Sequence, residues 1–103
     1  MLNSKNRAQL KSIAHKELDN IVKINIGKDL ISEEVIKSIK NCFNTHEIVK
    51  ISFLKSALEK NTKNEMIFDL ASATHSDIIQ IIGNTALLYK PNDKLPNHII
   101  LKK

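Results

Sequence analysis

Two hydrophobic rhythms run along the chain, a period of two near its end and a period of three to four in three earlier stretches. Ile79 and Ile81 alternate with Ile78, Gln80 and Ile82, and after Gly83-Asn84 the residues Ala86 and Leu88 alternate with Leu87 and Tyr89. A period of two sends successive side chains to opposite faces of a strand. Gly83-Asn84 between two such runs predicts a tight hairpin pairing residues 77–82 with 85–89, because glycine accepts the positive φ that the strand twist demands. Tyr89 then leads into Lys90 and a chain-stopping Pro91.

The longer period marks three helices. Leu10, Ile13 and Ala14 fall at i, i+3, i+4 and predict the first, with Ser4 as its N-cap. Arg7, Lys11 and His15 follow at four-residue spacing along an adjoining face, which is also what a solvated helix surface looks like. Ile21, Val22, Ile24 and Ile26 predict a strand ending at Gly27. A second helix is expected from near Ser32, where Glu33 and Glu34 suit the positive end of its dipole. Val35, Ile36, Ile39, Cys42 and Phe43 form its apolar face and carry Cys42 into the core. Glu47 to Leu54 predicts the next strand, with Val49, Ile51 and Phe53 on one face, and residues 55–61 fit either a loop or an early helical turn. Thr62 and Glu65 make a capping-box pattern for the third helix, which turns Met66, Ile67, Leu70 and Ala71 inward.

The fold class is therefore α/β, with three helices packed on a four-stranded mixed β-sheet in the order helix, strand, helix, strand, helix, strand, strand. No repeat or low-complexity segment interrupts it. Residues 1–91 are expected to form one domain and residues 92–103 a tail ending in Ile99-Ile100-Leu101-Lys102-Lys103.

Composition narrows the function. At 103 residues and 42% hydrophobic, the chain suits a single domain with one modest core. Cys42 is the only cysteine, so an intramolecular disulfide or a cysteine-rich zinc site is excluded, and a lone thiol fits a reducing compartment. The segment Met1–Arg7 lacks the apolar core of a signal peptide and no run reaches membrane-spanning length. A cytoplasmic location without a membrane partner is the expectation. The net charge of +5 is uneven: +4 over residues 1–28, −2 over 29–88 and +3 over 89–103. Basic ends around a mildly acidic middle suggest a polyanion-binding surface built from both termini. Fifteen lysines against one arginine, with abundant Ile and Asn, equally fit a codon bias.

Linear signatures of catalysis are missing. His15, His46, His75 and His98 sit on four separate segments without a helical pair at metal-ligand spacing, and two glycines cannot supply a P-loop or dinucleotide motif. The expectation is binding, not an enzyme, with no cofactor, metal or small-molecule substrate. Phe43, Phe53 and Phe68 do not form a stacking pair on adjacent strands, and Tyr89 reads equally as a stacking platform or as an edge residue covering the core. The loop Gly27-Lys28-Asp29-Leu30-Ile31-Ser32-Glu33 joins a strand to a helix, where backbone amides and a lysine can meet a phosphate. One glycine before a helix is also commonplace.

Four blocks, in order, resemble the CRM domain (chloroplast RNA splicing and ribosome maturation) in its bacterial single-domain YhbY-type form. Ser4-Lys5-Asn6-Arg7-Ala8-Gln9-Leu10-Lys11-Ser12-Ile13-Ala14-His15 is similar to the family's opening helix with its Leu-Ala-His ending. Ile26-Gly27-Lys28 resembles the start of its glycine loop, and Glu47-Ile48-Val49-Lys50-Ile51 its Glu-Leu-Ile-Lys-Val strand. The hairpin from Gln80 to Pro91 resembles its Val-Ile-Gly-Lys-Thr…Leu-Tyr-Arg-Pro ending. The resemblance covers roughly residues 4–91. It implies a fold like the C-terminal domain of translation initiation factor three, and an RNA-binding protein that associates with precursors of the large ribosomal subunit and assists ribosome assembly. It also implies a GxxG loop, comparable with that of KH domains, that approaches the nucleic-acid backbone. The RNA-binding residues expected on this basis are Arg7, Lys11, Gly27, Lys28 and Lys90, in a chain that is expected to be a monomer.

Leu30 replaces the second loop glycine and Asp29 adds a negative charge beside it. The connection from His15 to Gly27 is also a few residues longer than the family's and lacks its customary proline. Leu30 and Asp29 permit a rival reading, a protein-interaction module on the same fold with reduced or lost RNA binding. Clustered Arg7, Lys11, Lys28 and Lys90 would favour RNA; scattered cations with an exposed Ile99-Ile100-Leu101 patch would favour a protein partner.

Overall fold

Asn3, not Ser4, caps the first helix in the computed structural model, which describes residues 3–16, 21–26, 33–54, 63–96 and 99. The Asn3 Oδ1 accepts the Asn6 amide at 2.8 Å and its carbonyl accepts the Arg7 amide at 3.0 Å. Asparagine and serine cap equally well, so geometry decides, and it moves the expected cap back by one residue. The elements are α1 (Ser4–Lys16), β1 (Val22–Ile26), α2 (Glu33–Cys42), β2 (Ile48–Phe53), α3 (Lys63–Ala73), β3 (Asp77–Ile82) and β4 (Thr85–Tyr89). This is the predicted order. The expected caps Ser32 and Thr62, and the ambiguous stretch from Lys55, lie outside the described residues.

The four strands form one sheet in the order β1-β2-β4-β3, with β1 parallel to β2 and the other pairs antiparallel. Ile82 faces Thr85 across the Gly83-Asn84 turn, and Gly83 alone in that turn has a positive φ, 54°. That is the pattern of a type II′ hairpin, whose first central position is glycine's.

Helices pack on both faces of the sheet. On one, α2 and α3 bury Ile39, Phe43, Met66, Ile67, Leu70 and Ala71 against Ile26, Val49, Ile51, Phe53, Ala86 and Leu88, with Cys42 partly buried at the margin. On the other, α1 sets Leu10 and Ala14 against Ile48, Ile79, Leu87 and Tyr89. Leu10 is fully buried in this smaller cluster, so truncating it to alanine would cost about 2–5 kcal/mol.

One expectation fails inside β3. A simple alternation puts Ile79 and Ile81 on the same face, but a bulge between Ile78 and Gln80 resets the pleat. Ile78 and Ile81 pack toward α2 and α3, while Ile79 packs under α1. An extra residue in one strand turns its neighbour to the other side, and here it supplies α1 with one more apolar contact. The bulge leaves a cost: Gln80 Oε1 is buried without a hydrogen-bond partner among the described residues.

Helix α3 ends in a tight reversal. The Ser76 amide donates to Ala71 O at 2.9 Å and the His75 amide to Ser72 O at 3.3 Å, with His75 at φ 54°. These are the two bonds of a Schellman motif, with histidine at the left-handed position where glycine is usual. Thr74, fully buried, donates from Oγ1 to Leu70 O at 2.7 Å.

Candidate functional site

Arg7 and Lys11 lie one turn apart on α1, the helix that covers half of one sheet face. Leu10 and Ala14 anchor the helix, which leaves Arg7 exposed and Lys11 half-buried. The Arg7 side chain is not free to sweep: its Nε–H donates to the Ile78 carbonyl at 3.2 Å. One of five guanidinium N–H groups is used in that bond, so a fixed cation with further donors stands at the margin of β3.

Lys90 lies at one end of the sheet, where its backbone amide donates to Glu47 O at 2.9 Å, one step beyond the Ile48–Tyr89 pair. Gly27 and Lys28, with Asp29 and Leu30, lie outside the described residues. Ile26, the residue before Gly27, pairs with Phe53 at the opposite end. From Ile48 to Phe53 is five steps along β2, roughly 17 Å at about 3.3 Å per residue. The structure therefore groups Arg7 with Lys11 and sets Lys90 far from the point where the chain enters the glycine loop.

The two sheet faces differ in chemistry. Toward α2 and α3 every strand presents apolar residues along its length. The α1 face is apolar only near Ile21, Ile48, Tyr89, Ile79 and Leu87. Beyond them Lys23 is paired with Lys50, and Asn25 with Ser52, Ser52 with Thr85 and Thr85 with Ile82. Lys23, Asn25 and Ile82 are exposed and the others half-buried, so α1 leaves this part uncovered. The sequence-based choice of site residues did not include Lys23 and Lys50, which the sheet brings together on this face. Alternation around Ile24 and Val49–Ile51 does send both to the polar face, but only the parallel register makes them neighbours.

Aromatic side chains are mostly withdrawn from the surface. Phe43, Phe53 and Tyr89 are buried, and Tyr89 packs with Leu10 and Ala14, which gives it the core role and not that of a stacking platform. Burial raises the pKa of its hydroxyl, and the negative charges of Glu47 and Asp77 raise it further. Phe68 on α3 is 63% exposed, on the helix layer away from α1. Ile99 is half-buried against the α1 cluster; Ile100 and Leu101 lie outside the described residues. Among the described residues, His, Cys, Asp and Glu side chains form no group of three able to hold a metal ion, and no helix is long and apolar enough to cross a membrane.

Comparison with known proteins agrees with the strand order and helix packing. The family model of the CRS1 / YhbY (CRM) domain matches residues 2–90, and the chain belongs to that family. It is 34% identical over 90 residues to "Probable RNA-binding protein YqeI" of Bacillus subtilis, a match that covers 87% of this chain and 88% of the relative. A Haemophilus influenzae protein named "RNA-binding protein" is 29% identical, over 90% of this chain and 89% of its own. Among solved structures, the solution structure of the hypothetical protein SAV1595 from Staphylococcus aureus superposes with a TM-score of 0.70 at 32% identity, over 90% of this chain and 92% of that one.

Proposed function

We propose that this protein binds RNA, and that it does so in the cytoplasm as a monomer associated with precursors of the large ribosomal subunit, whose assembly it assists. Membership of the CRM family across residues 2–90 carries the reading, because the relatives named above are RNA-binding proteins by name. Of the cations, the Arg7–Lys11 pair supports it, while the distance of Lys90 from the start of the glycine loop does not. Arg7 is held in place by the Ile78 carbonyl with Lys11 a turn away, an arrangement that meets phosphates at low entropic cost. Gly27 and Lys28 lie outside the described residues and enter this reading from the sequence alone, with Lys90 at one end of the sheet. The action is binding and shaping of RNA, not turnover.

The test is crosslinking in living cells followed by sequencing of the bound RNA, with sedimentation of the protein on a gradient. The expected result is enrichment of large-subunit ribosomal RNA and co-migration with particles lighter than the mature subunit. Crosslinks spread over messenger RNAs in proportion to their abundance would overturn the ribosomal part of the reading.

Phe68 favours the second reading, a protein-interaction module, because a phenylalanine 63% exposed on a helix is an unfilled anchor. The packing of Ile99 against the α1 cluster counts against the tail patch expected for that reading. Loss of a protein partner on Phe68→Ser, with RNA crosslinks absent from the wild type, would decide for it.

A further inference from the structure

The uncovered part of the sheet has an unusual makeup for a structural surface. Lys23 and Lys50 stand directly opposite one another on β1 and β2. Like charges at directly paired positions repel and destabilise a ladder, and neither their row nor the next contains a carboxylate to offset them. Across the sheet the lysine row continues into Leu87 and Gln80, and the next row is Asn25, Ser52, Thr85 and Ile82. Two cations therefore lie beside a line of amide and hydroxyl groups, on a surface bounded by α1, which packs on Leu87. Asn25 is two residues from Gly27, so the surface runs toward the start of the glycine loop and away from Lys90.

We propose that this surface is a binding site for the sugar–phosphate backbone of double-stranded RNA, with Lys23 and Lys50 on phosphates and Asn25, Ser52 and Thr85 on phosphate and 2′-hydroxyl oxygens. This deepens the RNA-binding reading and rests on it. The ligand class follows from what the surface offers and what it withholds. Lysines, an amide and hydroxyls match the groups that a duplex presents outward. Single-stranded RNA is held chiefly by bases stacked on aromatic rings, and neither row contains an aromatic residue. A duplex keeps its bases stacked on each other and asks the protein only for backbone contacts. The repulsion between Lys23 and Lys50 is relieved when phosphates lie over them, so binding is favoured over the empty surface.

The experiment compares the wild type, K23Q/K50Q and K37Q/K40Q, the last carrying its changes on exposed positions of α2 on the opposite layer. Affinity is measured by fluorescence anisotropy for a labelled RNA duplex and for an unstructured single strand of equal length, over a range of salt. The wild type should prefer the duplex. K23Q/K50Q should lose two phosphate contacts, flattening the log–log salt slope by about 1.4–1.8, which at about 0.1 M salt is roughly a thirtyfold loss. K37Q/K40Q should stay within about twofold of the wild type, since α2 lies away from the surface. The urea unfolding midpoint of K23Q/K50Q should equal or exceed that of the wild type, which separates lost binding from lost folding. A K23Q/K50Q variant that binds the duplex like a tightly binding wild type overturns the site and leaves the RNA-binding reading standing. A wild type that prefers the single strand overturns the duplex assignment. A wild type that binds neither RNA overturns the RNA-binding reading itself.

Discussion

The buried carboxylate of Glu47 accepts the backbone amide of Ile99, 52 positions away, at 2.6 Å. Its other oxygen accepts the Asn92 amide at 3.0 Å, and the Asn92 side chain donates to Phe43 O at 3.2 Å. One side chain just before β2 thus ties the backbone beyond Pro91 to the sheet. Two amide donors aimed at one carboxylate are charge-assisted bonds, stronger than neutral ones. Glu47→Ala should cost about 1–3 kcal/mol, because two part-buried N–H groups lose their acceptor, and Glu47→Gln about half of that. Urea unfolding of the two variants checks this, and a change below about 0.5 kcal/mol in both would contradict the role of Glu47.

His75 holds the left-handed backbone that closes the turn after α3, and its side chain is exposed. A left-handed conformation costs a residue with a Cβ about 1–2 kcal/mol, and glycine in the unfolded chain gives part of that back. His75→Gly should therefore stabilise the protein by about 0.5–1 kcal/mol, read as a higher thermal midpoint. A lower midpoint would show that the imidazole makes a contact of value.

Tyr89 predicts an alkaline limit to stability. Its folded pKa is raised above the ordinary 10.0, first by burial and then by Glu47 and Asp77. The neutral hydroxyl is thus favoured in the folded state. Below the unfolded pKa this contribution is fully present; as pH rises past it the unfolded chain ionises first, and stability falls until the folded pKa is passed. The slope of unfolding free energy against pH between about pH 9 and 11 should be shallower in Tyr89→Phe than in the wild type. Identical slopes would show that Tyr89 ionises alike in both states.

Cys42 should react slowly with alkylating reagents at neutral pH. Burial at the margin of the α2 cluster raises its pKa, which reduces the reactive thiolate and also limits access. Labelling of the native protein at the rate of the urea-unfolded chain would contradict that placement.

The parts of this fold that were legible in the sequence are those set by near neighbours. Gly83-Asn84 fixes its hairpin locally, and the helices declare themselves through positions such as Leu10, Ile13 and Ala14. The bulge at Ile79 was hidden because isoleucine fills Ile78, Ile79, Ile81 and Ile82 alike, so the apolar pattern holds no mark of where the pleat resets. Asn3 and Ser4 are both good caps, and composition cannot choose between them. For the site, the helix cations were visible as a four-residue spacing. Lys23 and Lys50 were not, because their adjacency depends on a parallel pairing between segments 27 positions apart. That register is a property of the assembled sheet.

The central claim, that this protein holds RNA through its cations, is tested most directly by the salt dependence of its affinity for structured RNA. Contacts from Arg7, Lys11, Lys28 and Lys90 imply a log–log slope of roughly −2.8 to −3.6, at about 0.7–0.9 per contact, and contacts from Lys23 and Lys50 would steepen it. Replacing Lys11 by alanine should flatten that slope by somewhat less than one unit, and Arg7→Ala should do the same while also freeing the Ile78 carbonyl. A steep slope that each substitution reduces is the predicted result. Affinity that does not change with salt, or a slope untouched by both substitutions, would contradict the account.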